Sequence, residues 1–177
     1  MAFLGLFGRT RHERAGFELY GAAVRAARNP YYYAELGVPD SLDGRFDMIG
    51  LFVVLVIRRV QGEAAELAQA VFDAMFADMD FTLREMGVGD MSIGRKVKAM
   101  WEALNGRNQA YAAPLASGDA AALAQALARN VWRGLDPGPA ARTLAELALA
   151  QERFLAGQAL EDLRRGKVEF LPARVPA

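Results

Sequence analysis

Cysteine is absent from this chain of 177 residues, and histidine occurs only once, at His12. The lack of cysteine excludes disulfides, thiolate nucleophiles and most structural zinc sites. A single histidine in the charged stretch RTRHER makes a histidine-based metal site or a Ser-His-Asp triad hard to assemble. The sequence therefore predicts no catalytic residue, no metal site and no bound cofactor.

Net charge and long apolar runs are lacking too. The formal net charge is zero, so no global field draws the protein to DNA or to an anionic membrane. The longest apolar run, MIGLFVVLVI, has ten residues, where a bilayer crossing needs about 20. The N-terminal MAFLGLFGRTRHER is not typical of a secretory signal, because no basic region precedes its apolar part. We expect a cytoplasmic protein.

The same N-terminal stretch leaves one membrane contact open. AFLGLFG is followed by Arg9, Arg11 and Arg14, and such a segment could lie on a membrane surface. The alternative is a frayed or packed terminus, which we favour. Contact with the inner membrane would then be peripheral at most.

Helix-period patterning runs through the chain, and no alternating run is long enough for a strand. We expect a single all-α domain, a bundle of about six to seven helices. The expected helices span about residues 12–28, 30–36, 42–60, 63–86, 90–111, 119–133 and 140–165. Ser92 or Asp90 would cap the fifth helix, which buries Val97, Met100, Trp101, Leu104 and Tyr111 and loses its signal after Gly106. We expect the final residues, 168–177, to be extended.

The helix over residues 42–60 is predicted to be the buried centre of the bundle. It is apolar nearly all round in its middle and charged at both ends, so it should run through the core and emerge at each end. Its charges are Arg45 and Asp47 on one side and Arg58 and Arg59 on the other. Asp40 or Ser41 can cap its first turn.

Two carboxylates flank the apolar stripe of the next helix. Asp78 and Glu85 lie two turns apart on one flank. The simplest role for such groups is an ion pair with an arginine of the central helix. Binding of a partner is the second interpretation, and acid–base catalysis is the least favoured. The stripe itself consists of Val71, Phe72, Met75, Met79, Leu83 and Met86.

The junction GVGDMSIGRK has the glycines of a phosphate loop but not its spacing. It follows a helix rather than a strand, matches no nucleotide motif, and carries Asp90, which would repel an anion. We interpret it as a structural turn. The cations that follow, Arg95, Lys96 and Lys98 with Arg107, could bind RNA or an acidic protein surface, or form a solvated helix face.

Aromatic and methionine side chains offer adaptable contacts. If NPYYYAELG is helical, Tyr31, Tyr32 and Tyr33 cannot all face inward, because consecutive residues are 100° apart. An exposed tyrosine beside proline can anchor a partner, although a core position is slightly favoured. The methionines suit a surface for an apolar client, although their helical spacing favours the core. They are Met75, Met79, Met86, Met91 and Met100.

Two stretches resemble the ubiquinol–cytochrome c chaperone family, the assembly factors of respiratory complex III. They are YAELGVPDSLDGRFDMIGLFVVLVIRRV and FDAMFADMDFTLREMGVGDMSIGRKVKAMWEALNGRNQAY. The similarity is good over residues 17–111 and generic in the Ala-rich C-terminal part. The most specific pieces are GVPDSLDGRFD and DMDFTLREMGVGDMSIGRKV. Phe81 departs from the family pattern, which often has a polar or basic residue there.

The resemblance implies a non-enzymatic, all-helical chaperone that binds newly made cytochrome b. It also implies a family-like core over about residues 17–165, with tails at 1–11 and 167–177. Mitochondrial members pair with a small helical protein and work near the ribosomal tunnel exit. This chain starts almost at the family domain, which suits a bacterial-type member and leaves that partner and ribosome open.

The candidate residues for binding a client or partner combine the family motifs with the exposed features above. They are Tyr31, Tyr32, Tyr33, Arg45, Asp47, Arg58, Arg59, Asp78, Arg84, Glu85, Asp90, Arg95, Lys96 and Lys98. Two alternatives come from other classes. One is a ribosome- or RNA-binding module, or a general membrane-associated interaction module. The other is a lipid- or haem-handling protein that uses methionine and tyrosine as weak ligands.

Overall fold

Every regular element in the described part of the chain is helical. The computed structural model describes the backbone of residues 3–173 and the side chains of residues 12–173. The elements are α1 (Phe3–Ala27), α2 (Pro30–Ala34), α3 (Leu42–Val60), α4 (Ala65–Glu85), α5 (Asp90–Ser117), α6 (Ala120–Leu127), the π turn (Ala128–Trp132), α7 (Ala140–Ala156) and α8 (Leu160–Arg164). The predicted all-α class is confirmed. None of the described helices is long and apolar enough to span a bilayer.

Helix α3 lies at the centre, as its all-round apolar sequence predicts. Ser41 caps it, because its Oγ accepts a hydrogen bond from the Gly44 amide at 3.1 Å. Gly44 is required there, since a Cβ at this position would lie 2.0 Å from the Pro39 carbonyl oxygen. From Phe46 to Val56 every residue of α3 is buried. Helices α1, α4, α5 and α7 pack around it and share one apolar core.

Helices α1 and α4 lie in close contact along much of their length. Gly16 of α1 faces the backbone of Ala70, and a Cβ on Gly16 would lie 2.6 Å from the Ala70 carbonyl carbon. Further along, the Tyr20 hydroxyl donates to Asp78 Oδ2 at 2.6 Å. Burial and this carboxylate raise the pKa of Tyr20. The two helices therefore approach through small residues and are joined by a polar bridge.

One predicted helix start and one predicted helix cap are wrong. Helix α1 begins at Phe3 rather than near His12, so residues 3–11 are not a tail. The proposed membrane contact of AFLGLFG depends on side chains outside the described residues. Helix α5 begins at Asp90 behind Gly89, without the predicted side-chain cap.

Helix α5 also continues where the sequence signal weakens. It runs through Pro114 to Ser117 and ends at Gly118, whose φ of 72° is left-handed. The amides of Gly118 and Asp119 bond back to Leu115 and Pro114, which closes the helix end. Tyr111 and Leu115 are buried, so burial of this last part of the apolar face compensates for proline and weak propensity.

The predicted last helix, 140–165, is two helices. The helix is interrupted between Ala156 and Leu160. At this break the Arg59 side chain of α3 donates hydrogen bonds to the carbonyl oxygens of Leu155 at 3.0 Å and Gln158 at 2.8 Å. An arginine from a distant helix thus replaces the helical bonds that the break removes. This break raises the number of α-helices above the predicted six to seven.

The described part of the C-terminal tail is extended, as predicted, and it is docked. The buried Gln151 side chain donates to the Leu171 carbonyl at 2.8 Å and accepts from the Leu171 amide at 2.9 Å. Gln158 pairs with Glu169 in the same two-bond manner, at 2.8 and 3.0 Å. The Phe170 ring packs edge-on against Phe52 of α3 at 5.3 Å. The two glutamine side chains thus satisfy the backbone hydrogen bonds of the extended tail, as a neighbouring β-strand would.

Candidate docking surface

Asp47 lies in the interior and does not reach a surface. Its side chain is 0 % exposed. Arg107 Nη2 of α5 lies 2.5 Å from Oδ1, and Arg133 Nη2, just after the π turn, lies 3.0 Å from Oδ2. Burial raises the pKa of the Asp47 carboxyl, and the two guanidinium groups oppose that shift. Asp47 therefore joins three segments, and its assignment as a client contact is corrected.

Arg107 is buried, so the prediction that it lies on the surface with Arg95, Lys96 and Lys98 is wrong. It is buried against Asp47, and its guanidinium lies over the Phe46 ring at 5.4 Å. The spacing of Leu104, Arg107 and Tyr111 places all three on one face of α5, so the burial of Arg107 could have been predicted from the sequence. The RNA-binding alternative loses one of its four cations.

The backbone near Arg133 is unusual. The π turn precedes Arg133, whose φ of 46° is left-handed although it is not a glycine. The turn buries Trp132, whose Nε1 donates to the Gly37 carbonyl at 3.1 Å, and places Asn130 to donate to the Tyr111 hydroxyl at 3.1 Å. Arg133 also pairs with Asp43 at 2.8 Å. These bonds hold the left-handed residue in place.

The other arginines of α3 have internal or local partners. Arg58 pairs with Glu152 of α7 at 2.8 Å, and Arg59 fills the break before α8. Arg45 pairs with Asp40 at 2.7 Å on the surface, and its guanidinium lowers the pKa of that carboxyl. The predicted ion pairs from these arginines to Asp78 or Glu85 are therefore wrong, since Asp78 instead accepts the bond from Tyr20.

The three tyrosines divide as helical geometry requires. Tyr32 is buried against Phe52, with ring centroids 5.9 Å apart. Tyr31 and Tyr33 are half-buried, and the Tyr33 hydroxyl donates to the Ala27 carbonyl at 3.1 Å. Tyr32 is therefore a core residue, and its assignment as a client contact is corrected.

The corner between α4 and α5 is closed by its own backbone. Gly87 has a φ of 77°, its amide bonds to the Arg84 carbonyl, and the Val88 amide bonds to the Leu83 carbonyl. This pair of bonds is the Schellman arrangement that ends helices at a left-handed glycine. Arg84 links both sides of the corner, because it contacts Asp80 at 2.7 Å and Asp90 at 2.6 Å. The glycine-rich junction is thus a structural turn, as predicted.

Large apolar side chains are exposed at this corner and along α5. Met91 is 96 % exposed and Phe81 is 62 % exposed, and Met86 at the end of α4 and Trp101 are also exposed. We call these four residues the corner surface. Met75 and Met79 are buried, so the predicted methionine stripe divides into a core part and a surface part. The expectation that Met86 and Trp101 face the core is wrong.

Positive charge adjoins the corner surface on α5. Arg95 and Lys96 are exposed, and neither forms an ion pair within 4.0 Å among the residues that the structure describes. Lys98 lies 3.8 Å from Glu102 on the next turn. Glu85 is exposed at the end of α4, and Asp90 is exposed at the start of α5. The arrangement offers apolar contact beside charges of both signs.

No group of three or more metal-ligating side chains occurs within the described range. The candidates that the structure leaves on the surface at the corner are Arg84, Glu85, Asp90, Arg95, Lys96 and Lys98. The residues that sequence reasoning missed there are Phe81 and Trp101. Phe81 departs from the family pattern, but helix propensity alone does not tell whether a single large apolar residue faces the core or the solvent.

Comparison with known proteins identifies a family and a fold. Residues 34–170 match the family model described as ubiquinol-cytochrome C chaperone. The crystal structure of the Cbp3 homolog from Brucella abortus is 35% identical, with a TM-score of 0.83. The similarity covers 96% of this chain and 97% of that one. No curated protein sequence matches the chain.

Proposed function

The chain belongs to the ubiquinol–cytochrome c chaperone family, and from that premise we propose that it is a non-enzymatic assembly factor that binds newly made cytochrome b. The observation that carries the proposal is the corner surface. A membrane protein exposes apolar helices before it is inserted, and exposed methionine and aromatic side chains suit such segments because they adapt to varied shapes.

Arg84 and the closed turn support this role, because they hold the corner in one conformation without covering the apolar side chains. The exposed charges beside them can orient a client through its loops. A second protein partner, contact with a ribosome and contact with the inner membrane stay predictions from the family resemblance.

Photo-crosslinking in cells tests the proposal. A photoreactive amino acid replaces Met91 or Trp101. Phe17 serves as the control, because it is an aromatic residue that is 54 % exposed, close to the 46 % of Trp101. Phe17 follows Gly16, which contacts Ala70, so it lies roughly 20 Å from the end of α4 by helix rise. We expect cytochrome b to be captured from the two corner positions and not from position 17.

Loss of the gene provides the second readout. We expect less assembled complex III and faster loss of cytochrome b in the deleted strain. If complex III falls but neither corner position captures cytochrome b, the family role stands and the surface assignment is wrong. If complex III assembles normally without the gene, the proposed function itself is wrong.

A further inference from the structure

A cavity of about 350 Å³ lies between α1 and the end of α8. Four cations and one carboxylate line it, together with Ala15 and Gly166. The charged residues are Arg14, Glu18, Arg164, Arg165 and Lys167. Its lining thus carries an excess of three positive charges, in a chain whose formal net charge is zero.

The shape of the cavity depends on how α8 ends. Gly166 has a φ of 80°, and a Cβ there would lie 2.8 Å from Glu18 Cβ, so only glycine lets this turn approach α1 so closely. The Gly166 amide bonds to the Leu163 carbonyl and the Lys167 amide to the Asp162 carbonyl, which fixes the turn. The tail then continues to its docked position on α7.

The cations of the cavity are only partly neutralised by the protein. Arg165 lies 3.4 Å from Glu161 and 3.9 Å from Asp162. Arg164 donates to the Glu63 carbonyl oxygen at 3.3 Å. Arg14 and Lys167 form no ion pair within 4.0 Å in the described part of the chain. Like charges held together repel one another, so this side of the molecule has unmet affinity for an anion.

The charge preference is local. A second cavity of about 570 Å³ shares Arg164 but is lined by Glu63, Glu66 and Glu161. The two cavities therefore have opposite charge balances. An anion would be drawn to the first and repelled from the second.

We propose that the cavity between α1 and α8 binds a phosphate group. Guanidinium and ammonium groups together recognise phosphate oxygens through charge-assisted hydrogen bonds. Among the residues that the structure describes, no aromatic side chain lines the cavity, so these residues offer a nucleobase no stacking partner. The ligand is a phosphate ester with a small or aliphatic substituent, from either of two sources: a free phosphomonoester or the headgroup of an anionic phospholipid.

Titration of the full-length protein with glycerol phosphate tests binding of the free ester. In the wild type we expect saturable shifts of the Gly166 and Lys167 amide signals in NMR spectra. The variant Arg14→Ala/Lys167→Ala should bind at least about tenfold more weakly. The control Arg25→Ala/Arg153→Ala removes the same charge from exposed positions outside the cavity and should bind as the wild type does.

Vesicle flotation tests the lipid source. Vesicles of phosphatidylglycerol mixed with phosphatidylcholine should bind the wild type and the control equally, and should bind the cavity variant at least about tenfold more weakly. The wild type should bind these vesicles more strongly than vesicles of phosphatidylcholine alone. A specific response in either experiment supports the proposal and identifies the source. The proposal is overturned if neither probe gives saturable binding, or if the control variant loses as much as the cavity variant. If the cavity variant does not fold, the test rests on the wild type: saturable shifts of the Gly166 and Lys167 amide signals support the proposal, and their absence overturns it.

Discussion

Arg107 Nη2 lies 2.5 Å from Asp47 Oδ1, and this contact joins helix α5 to the central helix α3 deep in the protein. Arg133 approaches the other carboxylate oxygen at 3.0 Å, so one buried carboxylate connects α3, α5 and the segment after the π turn. The most specific motif of the family, GVPDSLDGRFD, ends at this residue. Its acidic end therefore has a structural role.

Replacing Asp47 should lower the free energy of unfolding. Asp47→Asn leaves the buried Arg107 without its counter-charge, and we expect the free energy of unfolding to fall by about 3–5 kcal/mol. The control is Asp43→Asn, which breaks only the exposed pair with Arg133 and should cost about 0–1 kcal/mol. Urea unfolding of both variants measures the difference. Equal losses would show that the Asp47 contact contributes no more than a surface ion pair.

The close approach of α1 and α4 gives a second matched pair. Gly16→Ala places a Cβ 2.6 Å from the Ala70 backbone, so the helices must separate, and we expect a loss of roughly 1–3 kcal/mol. Gly106→Ala, within α5, meets no atom within 4 Å and should stabilise by about 0.5–1 kcal/mol through helix propensity. Thermal unfolding compares them. A stabilising Gly16→Ala would contradict the observed packing.

Tyr111 should make stability fall at alkaline pH. Burial raises the pKa of Tyr111 from 10.0 to about 12. Between these values the unfolded chain has released the phenolic proton and the native protein retains it, so the free energy of unfolding falls as pH rises. The contribution is complete below pH 10.0 and is lost as pH passes through about 12.

The variant Tyr111→Phe isolates this effect. Loss of the hydrogen bond from Asn130 lowers stability by a constant amount, whereas loss of the titrating group makes the decline above pH 10.0 shallower. The difference in slope should approach about 1.4 kcal/mol per pH unit. Urea unfolding across this range provides the values. Identical slopes would mean that Tyr111 titrates normally in the native state.

Charge reversal at Arg95 distinguishes a structural role of the corner from a docking role. Arg95 is exposed and forms no ion pair within 4.0 Å among the described residues, so Arg95→Glu should change the free energy of unfolding by less than about 0.5 kcal/mol. Under the proposed function, the same variant should capture less cytochrome b in crosslinking from position 91. A large loss of stability would instead assign Arg95 to the fold.

Arg84→Glu is the contrasting change at the same corner. It removes contacts to Asp80 and Asp90 and adds repulsion between like charges, so some stability should be lost. Its thermal midpoint should therefore fall below that of Arg95→Glu. The opposite order would contradict the assignment of Arg84 as the residue that links the two sides.

Local sequence signals determined the helical class and several helix ends. The apolar run of α3, a cap at Asp40 or Ser41 and the end of α4 near residue 86 were predicted, because periodicity and capping act over a few residues. The absence of cysteine also excluded disulfides and thiol chemistry. The family motifs predicted the family, which the comparisons confirmed.

Tertiary structure decided which charged residues are buried and which apolar residues are exposed. Asp47, Arg58 and Arg59 resemble surface charges in the sequence. In the fold, Asp47 pairs with Arg107 of α5, Arg58 pairs with Glu152 of α7, and Arg59 donates to carbonyl oxygens at the break before α8. Trp101 was expected on the buried side of α5 and Met91 was favoured for the core, but both side chains are exposed among the residues that the structure describes. Pairing between distant segments depends on how helices cross, and periodicity within one helix carries no information about that. The sequence by itself therefore determined the elements and the family, and only the packing separated the core ion pairs from the exposed residues of the corner surface.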